Sequence, residues 1–303
     1  MVESSAAGAY SAIDPHREET PSVSDAHDTA DGARLSGDGL DVEIADGIAL
    51  LAFNRPHRRN ALDLVNRVLF AEALDVVCRD PAIRVIVLTG RGGHFCSGGD
   101  LGSMKGGDDG GISAEAGRQR MRDGLRGVER LLTCDKPVVA AVEGIAYGGG
   151  FGIALAADMI VAGESARFCM SFARVGLLPD SGALYTLPRI VGLQRAKELM
   201  LSGREIDAAT ALSYGIAMEV VGAGRALDRA MQLARALAQA SPVAAGMTKA
   251  ALNLSLSSDL RTMLEFEATG QGVAFSSSHH RAAVRRFLDK QPPSFVWPAA
   301  PKP

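Results

Sequence analysis

Two glycine-rich stretches carry the residue types that can bind a developing negative charge through the backbone. Gly148, Gly149 and Gly150 follow the apolar run Lys136–Val142 and open a small-residue helix reaching Leu155–Asp158. Consecutive glycines at a helix start admit another group close to the backbone, and first-turn N–H groups have no partner within the helix. The helix dipole adds positive potential there. The second stretch, GRGGHFCSGGDL over 90–101, leaves the apolar run Ile83–Leu88. Two such exits, about fifty residues apart, can converge on one carbonyl oxygen and supply two donors, an oxyanion hole. For either stretch alone, a turn that only packs tightly is the alternative. The triple glycine is not a Walker A loop, since no Gly-Lys-Ser/Thr follows, nor a GxGxxG turn.

A carbonyl held in this way has its enolate stabilised, so a carboxylate can remove the neighbouring proton. Asp180, in GLLPDSG over 176–182, stands between Pro179 and Ser181-Gly182. By itself that pattern reads as a turn entering a helix, with Asp180 as the N-cap. His94 reads as a loop histidine, and Cys96 has no histidine partner nearby in sequence that would make it a nucleophile. Asp100 is expected to brace the loop that precedes it.

These residues must be held by a folded core. Leu40–Glu43 and Ile48–Phe53 read as strands around an Ala-Asp-Gly turn, and Asp63–Cys78 has helical apolar spacing. Strand Ile83–Leu88, an amphipathic helix over Ala114–Leu132 and strand Lys136–Val142 follow. Strands grouped with helices through short exits argue for an α/β core. After Leu184 the pattern turns helical: Gln194–Leu201, Asp207–Tyr214, Arg225–Ala240, Pro242–Leu256 and Asp259–Phe275. Residues 1–38 carry eight acidic side chains against two basic ones and few large apolar residues, so this segment reads as a disordered acidic tail. GSMKGGDDGG over 102–111 reads as a flexible connector at the rim of a pocket.

Composition excludes several function classes. A net charge of −3, with no basic stripe interleaved with aromatics, gives no case for nucleic acid. The apolar runs are far shorter than a membrane span. Cys78, Cys96, Cys134 and Cys169 show no CxxC spacing; they fit reduced thiols in the cytoplasm better than a disulfide framework or a metal site.

Five segments together resemble the crotonase (enoyl-CoA hydratase/isomerase) superfamily, over Leu40–Phe295. They are NRPHRRNAL (54–62), HFCSGGDL (94–101), GIAYGGG (144–150), ARVGLLPDSGALYTLPRIVG (173–192) and RRFLDKQPPSF (285–295). The resemblance implies an α/β spiral of ββα units with a C-terminal helical region. Its parts would be the tail at 1–38, a spiral core at 39–202 and a helical trimerisation region at 203–303, in a homotrimer or homohexamer. It implies an acyl-CoA thioester as substrate, CoA being part of that substrate and no separate cofactor or metal being needed. The backbone N–H groups of Gly99 and Gly149 would form the oxyanion hole. Arg58, Arg59, Ala61, Phe287 and Lys290 would contact CoA, while Tyr147 and Phe172 would line the acyl pocket, shaped further by Leu177, Leu178 and Leu184.

The resemblance also directs the choice of acid. The two glutamates of the hydratases fall at Gly152 and Phe172 here, so both are missing. The Pro-Asp position of Asp180 resembles that of the acid/base in the Δ3,Δ2-enoyl-CoA isomerases. One acid suffices for a 1,3-proton shift, and a drier pocket would disfavour addition of water. The expected activity is therefore isomerisation of a 3-enoyl-CoA to a 2-enoyl-CoA. The alternatives are hydration, ring or epoxide isomerisation of an acyl-CoA, and acyl-CoA binding without turnover.

Overall fold

The structure, a computed structural model, describes residue 32, residues 34–104 and residues 112–300. Most of the expected acidic tail and of the 102–111 connector lies outside the described residues. The large sheet begins with a hairpin of β1 (Gly39–Ala45) and β2 (Ile48–Asn54), paired antiparallel. Asp46 and Gly47, both at positive φ, form its two-residue turn.

Four further strands extend this hairpin in parallel: β3 (Val85–Gly90), β4 (Val138–Val142), β6 (Met159–Gly163) and β9 (Glu219–Val221). The order is β1-β2-β3-β4-β6-β9. A smaller sheet pairs β5 (Ile145–Tyr147), β7 (Arg167–Cys169) and β8 (Glu205–Asp207), in that order. Successive passes of the chain place one strand in the large sheet and the next in the small one, as β4–β5 and β6–β7 do, and then a helix. The fold is thus mixed α/β and winds as repeated ββα passes.

The large sheet is covered on both faces, which is why its strands are continuous apolar runs. One face meets α1 (Leu64–Arg79), α2 (Ala114–Thr133) and the wholly buried α3 (Gly149–Leu155). On the other face, Ile48, Leu50, Val85, Val87 and Val139 pack against Ala226, Ala230 and Leu233 of α7 (Ala226–Ala238). Between these lie α4 (Ala183–Val191), α5 (Leu193–Ser202) and α6 (Ala208–Ser213). The expected 39–202 core therefore receives two strands and a covering helix from the 203–303 region. The purely helical extension is α8 (Pro242–Ser255), α9 (Leu260–Ser276) and α10 (Ser278–Leu288). Lys249 ties α8 to the core: its Nζ lies 3.0 Å from Asp158 Oδ2 and donates to Leu131 O (2.8 Å) and Lys136 O (3.0 Å). Neither α9 nor α10 buries a residue. Among the described residues, no helix is long and apolar enough to cross a membrane.

The α1–α2 contact has two parts. At Gly127 a Cβ would meet Phe70 Cδ1 at 2.8 Å, and at Gly124 it would meet Arg67 Cδ at 3.0 Å, so two glycines let the helices close. At its far end, Asp75 of α1 accepts from Arg130 Nε (2.7 Å) and Arg126 Nη2 (3.2 Å) of α2. The Arg130 hydrogen bond, opposed by slight burial, holds the Asp75 carboxyl below its ordinary range. A depressed carboxylate contributes stability above its unfolded pKa, near 4, and loses it as pH falls through its folded value. Asp75→Asn should therefore cost about 1 kcal/mol at neutral pH. That difference from the wild type should shrink toward zero below about pH 4. Urea denaturation of both proteins at neutral and acid pH checks this.

Candidate active site

Asn60, a residue to which sequence reasoning gave no role, organises the first glycine loop. It is buried, its Oδ1 accepts from Arg55 N–H (2.8 Å), and its Nδ2 donates to Arg91 O (2.9 Å) and His94 O (2.7 Å). The loop then runs along β4 and β5. Phe95 N–H donates to Glu143 O (2.9 Å), Cys96 N–H to Ile145 O (3.0 Å) and Tyr147 N–H to Cys96 O (2.9 Å). Beyond the turn, Leu62 N–H donates to Gly98 O (2.8 Å) and Asp100 N–H to Leu62 O (2.9 Å). Asp100 also pairs with Arg55 at 3.5 Å. These bonds bracket Gly99 on both sides. Among the described residues no group accepts from its own N–H, nor from that of Gly149, the first residue of α3.

The two loops touch through backbone. At Gly98 (φ +94°) a Cβ would lie 2.7 Å from Tyr147 O and 3.3 Å from Gly149 N, and at Gly150 it would lie 2.7 Å from Cys96 Cβ. Only glycine permits such an approach. Cys96 is fully buried, and burial pushes its thiol up to about 11, the opposite of what a nucleophile needs. His94 accepts from Ile145 N–H through Nδ1 (3.3 Å), a bond that holds the loop.

Asp180 reaches the same place from the other side. Ser181 (φ 53°) and Gly182 (φ 73°) are successive left-handed residues that turn the chain into α4. The N-cap of α4 is Gly182, so Asp180 does not cap the helix. Instead its Oδ1 accepts from Ser181 Oγ (2.8 Å), and Arg67 Nη2 lies 3.8 Å from Oδ2. Gly99, Gly149, Phe172 and Asp180 line one cavity of about 210 Å³, with Arg67, Ser97, Leu101, Gly148, Ser171, Arg174, Val175 and Leu177. Two unpartnered N–H groups beside a carboxylate can hold a carbonyl oxygen while a neighbouring proton moves.

Other expected site residues lie elsewhere. Tyr147 turns away: its hydroxyl donates to Glu205 of β8, and burial together with that carboxylate pushes its phenol up to about 12. It does not line the cavity, because β5 pairs into the small sheet there. Arg58 and Arg59 are exposed, and their carbonyls rather than their side chains meet the loop, accepting from Ser97 Oγ (3.3 Å) and Ser97 N–H (2.9 Å). Ala61 is buried, with its carbonyl accepting from Arg55 Nη1 (3.0 Å). Phe287, 81% exposed on α10, and Lys290 just beyond it are not among the cavity-lining residues. Of the expected acyl-pocket leucines, Leu177 lines the cavity while Leu178 and Leu184 are exposed. The expected dry pocket also needs correction, since Arg67, Arg174 and three serines at 97, 171 and 181 surround Asp180 or share its cavity. No group of three or more His, Cys, Asp or Glu side chains among the described residues could hold a metal ion.

The fold is thus a two-sheet ββα architecture in which two backbone donors and a carboxylate share one cavity. The enoyl-CoA hydratase/isomerase family model matches residues 43–297, and the chain belongs to that family. It is 37% identical over 253 residues to the 1,2-epoxyphenylacetyl-CoA isomerase of Escherichia coli K12, covering 84% of this chain and 96% of that protein. It is 38% identical over 254 residues to a protein of Rhodobacter capsulatus described as a probable enoyl-CoA hydratase, with coverage of 84% and 96%. The crystal structure of an enoyl-CoA hydratase/isomerase from Cupriavidus metallidurans CH34 superposes with a TM-score of 0.81 at 44% identity, covering 88% of this chain and 99% of that one.

The glycine at 152, two positions after the triple glycine, has a packing reason. A Cβ on Gly152 would lie 2.7 Å from both Ser181 Cβ and Ser181 O, and 3.1 Å from Asp180 O. The Asp180 turn sits directly on α3, and only hydrogen separates them. Gly152→Ala should therefore destabilise the fold by about 1–3 kcal/mol through overpacking. Urea denaturation reads the loss, and a wild-type midpoint would show that the turn yields without cost.

Proposed function

We propose that this protein is an acyl-CoA isomerase that shifts a 3-enoyl-CoA double bond to the 2-position. The observation that carries this reading is the single carboxylate, Asp180, sharing a cavity with the unpartnered N–H groups of Gly99 and Gly149. In the proposed mechanism the thioester oxygen accepts from both N–H groups. Asp180 takes a proton from C2, the C–H electrons form the dienolate, and the proton returns at C4. No net charge or atom is lost, and no cofactor is required; CoA enters as part of the substrate. Phe172, at the position that the resemblance gives to a second acid, is apolar and buried, and Leu177 and Val175 supply apolar wall for the acyl chain. Arg58, Arg59, Phe287 and Lys290, all exposed, are proposed to meet the CoA portion outside the cavity. The free thiols fit a reducing compartment, here proposed to be the cytoplasm.

A second reading is favoured by specific observations. The relative named as an epoxide isomerase and the polar surroundings of Asp180 support rearrangement of an oxygenated acyl-CoA at the same site.

Two measurements test these proposals. Conversion of trans-3-hexenoyl-CoA should appear as growing conjugated-enoyl absorbance, and Asp180→Asn should reduce it about 10²–10⁴-fold. Crotonyl-CoA should be hydrated little by either protein; hydration that survives in the variant would move the chemistry away from Asp180. Binding of several acyl-CoAs without solvent-deuterium incorporation into any would make the protein a binder. Separately, α9 and α10 expose Leu260, Leu264, Phe275, Phe287 and Leu288, a face proposed to be covered in a homotrimer or homohexamer. Light scattering after gel filtration should give three or six times the 31.6 kDa chain mass, and a monomer would refute the assembly.

A further inference from the structure

Arg67 is a charged side chain at the cavity whose chemistry the 1,3-proton shift leaves unused. It lies in the first turn of α1, is 11% exposed, and lines the same cavity as Asp180, Gly99 and Gly149. Its guanidinium carries five N–H donors in a planar fork. Among the described residues none of them has a hydrogen-bond acceptor, the sole polar contact being Asp180 Oδ2 at 3.8 Å. A structural arginine at such burial ordinarily satisfies its fork, as Arg229 does with both oxygens of Glu219 (2.7 and 2.9 Å) and Arg55 does with Ala61, Asp63 and Asn66.

The position is built. Gly124 of α2 makes room for the Arg67 stem, since a Cβ there would come within 3.0 Å of Cδ. The other end of the side chain lies over Gly149: the point that a Cβ on Gly149 would occupy is 2.9 Å from Arg67 Nη2, 2.9 Å from Ser181 Oγ and 3.3 Å from Asp180 Oδ1. The fork therefore meets an acyl group close to its thioester rather than at its far end. A hydrocarbon chain there would leave a partly buried cation facing methylene groups, which is costly. An oxygen on the chain would accept from it.

We infer that Arg67 selects acyl-CoA substrates carrying an oxygen acceptor (hydroxyl, oxo or epoxide) near the thioester, and hydrogen-bonds that oxygen while Asp180 moves the proton. The inference rests on the proposed acyl-CoA function of this cavity and narrows its substrate class. Ser97, Ser171 and Arg174, on the same cavity wall, add polar partners that a hydrocarbon chain would not use.

The test uses the full-length protein and calorimetric titration with hexanoyl-CoA and 3-hydroxyhexanoyl-CoA, with α-proton exchange of hexanoyl-CoA in deuterium oxide followed by mass spectrometry. The wild type should bind the hydroxylated thioester about tenfold or more tightly than the plain one, the scale of one charge-assisted hydrogen bond. In Arg67→Met that ratio should collapse to near one, and in Arg67→Lys, which keeps the charge but loses the fork, it should be intermediate. Equal wild-type binding of the two thioesters, with α-proton exchange present, would overturn the Arg67 inference and leave the proposed site standing. A ratio unchanged in Arg67→Met would also overturn it, and slowed exchange of hexanoyl-CoA in that variant would then make Arg67 a positioning group for Asp180. No binding of either thioester by the wild type would remove both readings. If Arg67→Met fails to fold, Arg67→Lys carries the test, and a ratio there as large as the wild type's would overturn the inference.

Discussion

The site depends on the backbone-to-backbone contact between two loops that leave different strands. Gly98 lies against Tyr147 O and Gly149 N, while Gly150 lies against Cys96. At these separations a methyl group at 98 or 150 would force the loops apart, so the geometry exists only because these two positions lack side chains. The N–H groups of Gly99 and Gly149 stay free for a related reason. Each residue sits just past the point where its loop stops pairing, Gly99 between two bonds to Leu62 and Gly149 at the head of a helix. Backbone donors of this kind need no side-chain chemistry. They need a scaffold stiff enough to hold two orphan amides together, and the doubly covered parallel sheet supplies it.

Much of this is legible in the sequence, and what is not has physical causes. The strands of the large sheet announce themselves because burial on both faces makes them continuous apolar runs. The strands β7, β8 and β9 do not, since three residues are too few to show any period. The glycine loops and Asp180 stand out by residue type, and the structure brings them to one cavity. Asn60 and Arg67 do not stand out. Asn60 acts through carbonyls more than thirty residues away, and Arg67 occupies a helical position where a charged residue ordinarily means solvent. Its signal is indirect: Gly124 and Gly127, three apart on an otherwise amphipathic helix, mark where another helix and its side chains come close. Tyr147 shows the opposite failure. Its proximity to Gly149 in sequence suggests the pocket, but strand alternation sends neighbouring side chains to opposite faces and commits this one to the small sheet.

The electrostatics of the cavity separate it from a simple apolar slot. Asp180 is held by one hydroxyl and by a guanidinium at ion-contact rather than hydrogen-bond distance. That arrangement fixes the carboxylate's position while leaving one oxygen loosely engaged. A base must keep a lone pair accessible to the proton that it takes, and a tighter Arg67–Asp180 pair would compete for it. The same looseness leaves the guanidinium donors uncommitted. The distance between these two groups therefore shapes both the lone pair that the carboxylate leaves accessible and the polarity of the cavity wall.

Packing and reaction type meet at Gly152. A side chain there would project into the Ser181 backbone, so the turn that delivers Asp180 and a glutamate at 152 compete for one volume. If 152 carried an acid, the Pro-Asp-Ser-Gly turn would have to rise off α3, moving Asp180 away from Gly149. If Asp180 comes down onto Gly149, position 152 must be glycine. In this chain a side chain at 152 and the present position of the Asp180 turn are thus coupled by steric exclusion. Ser181, buried at positive φ, is where the chain bears the cost of that choice, at about 1–2 kcal/mol for a left-handed non-glycine residue. The hydroxyl it gives to Asp180 Oδ1 is the compensating contact, so the strained residue and the carboxylate it positions form one unit.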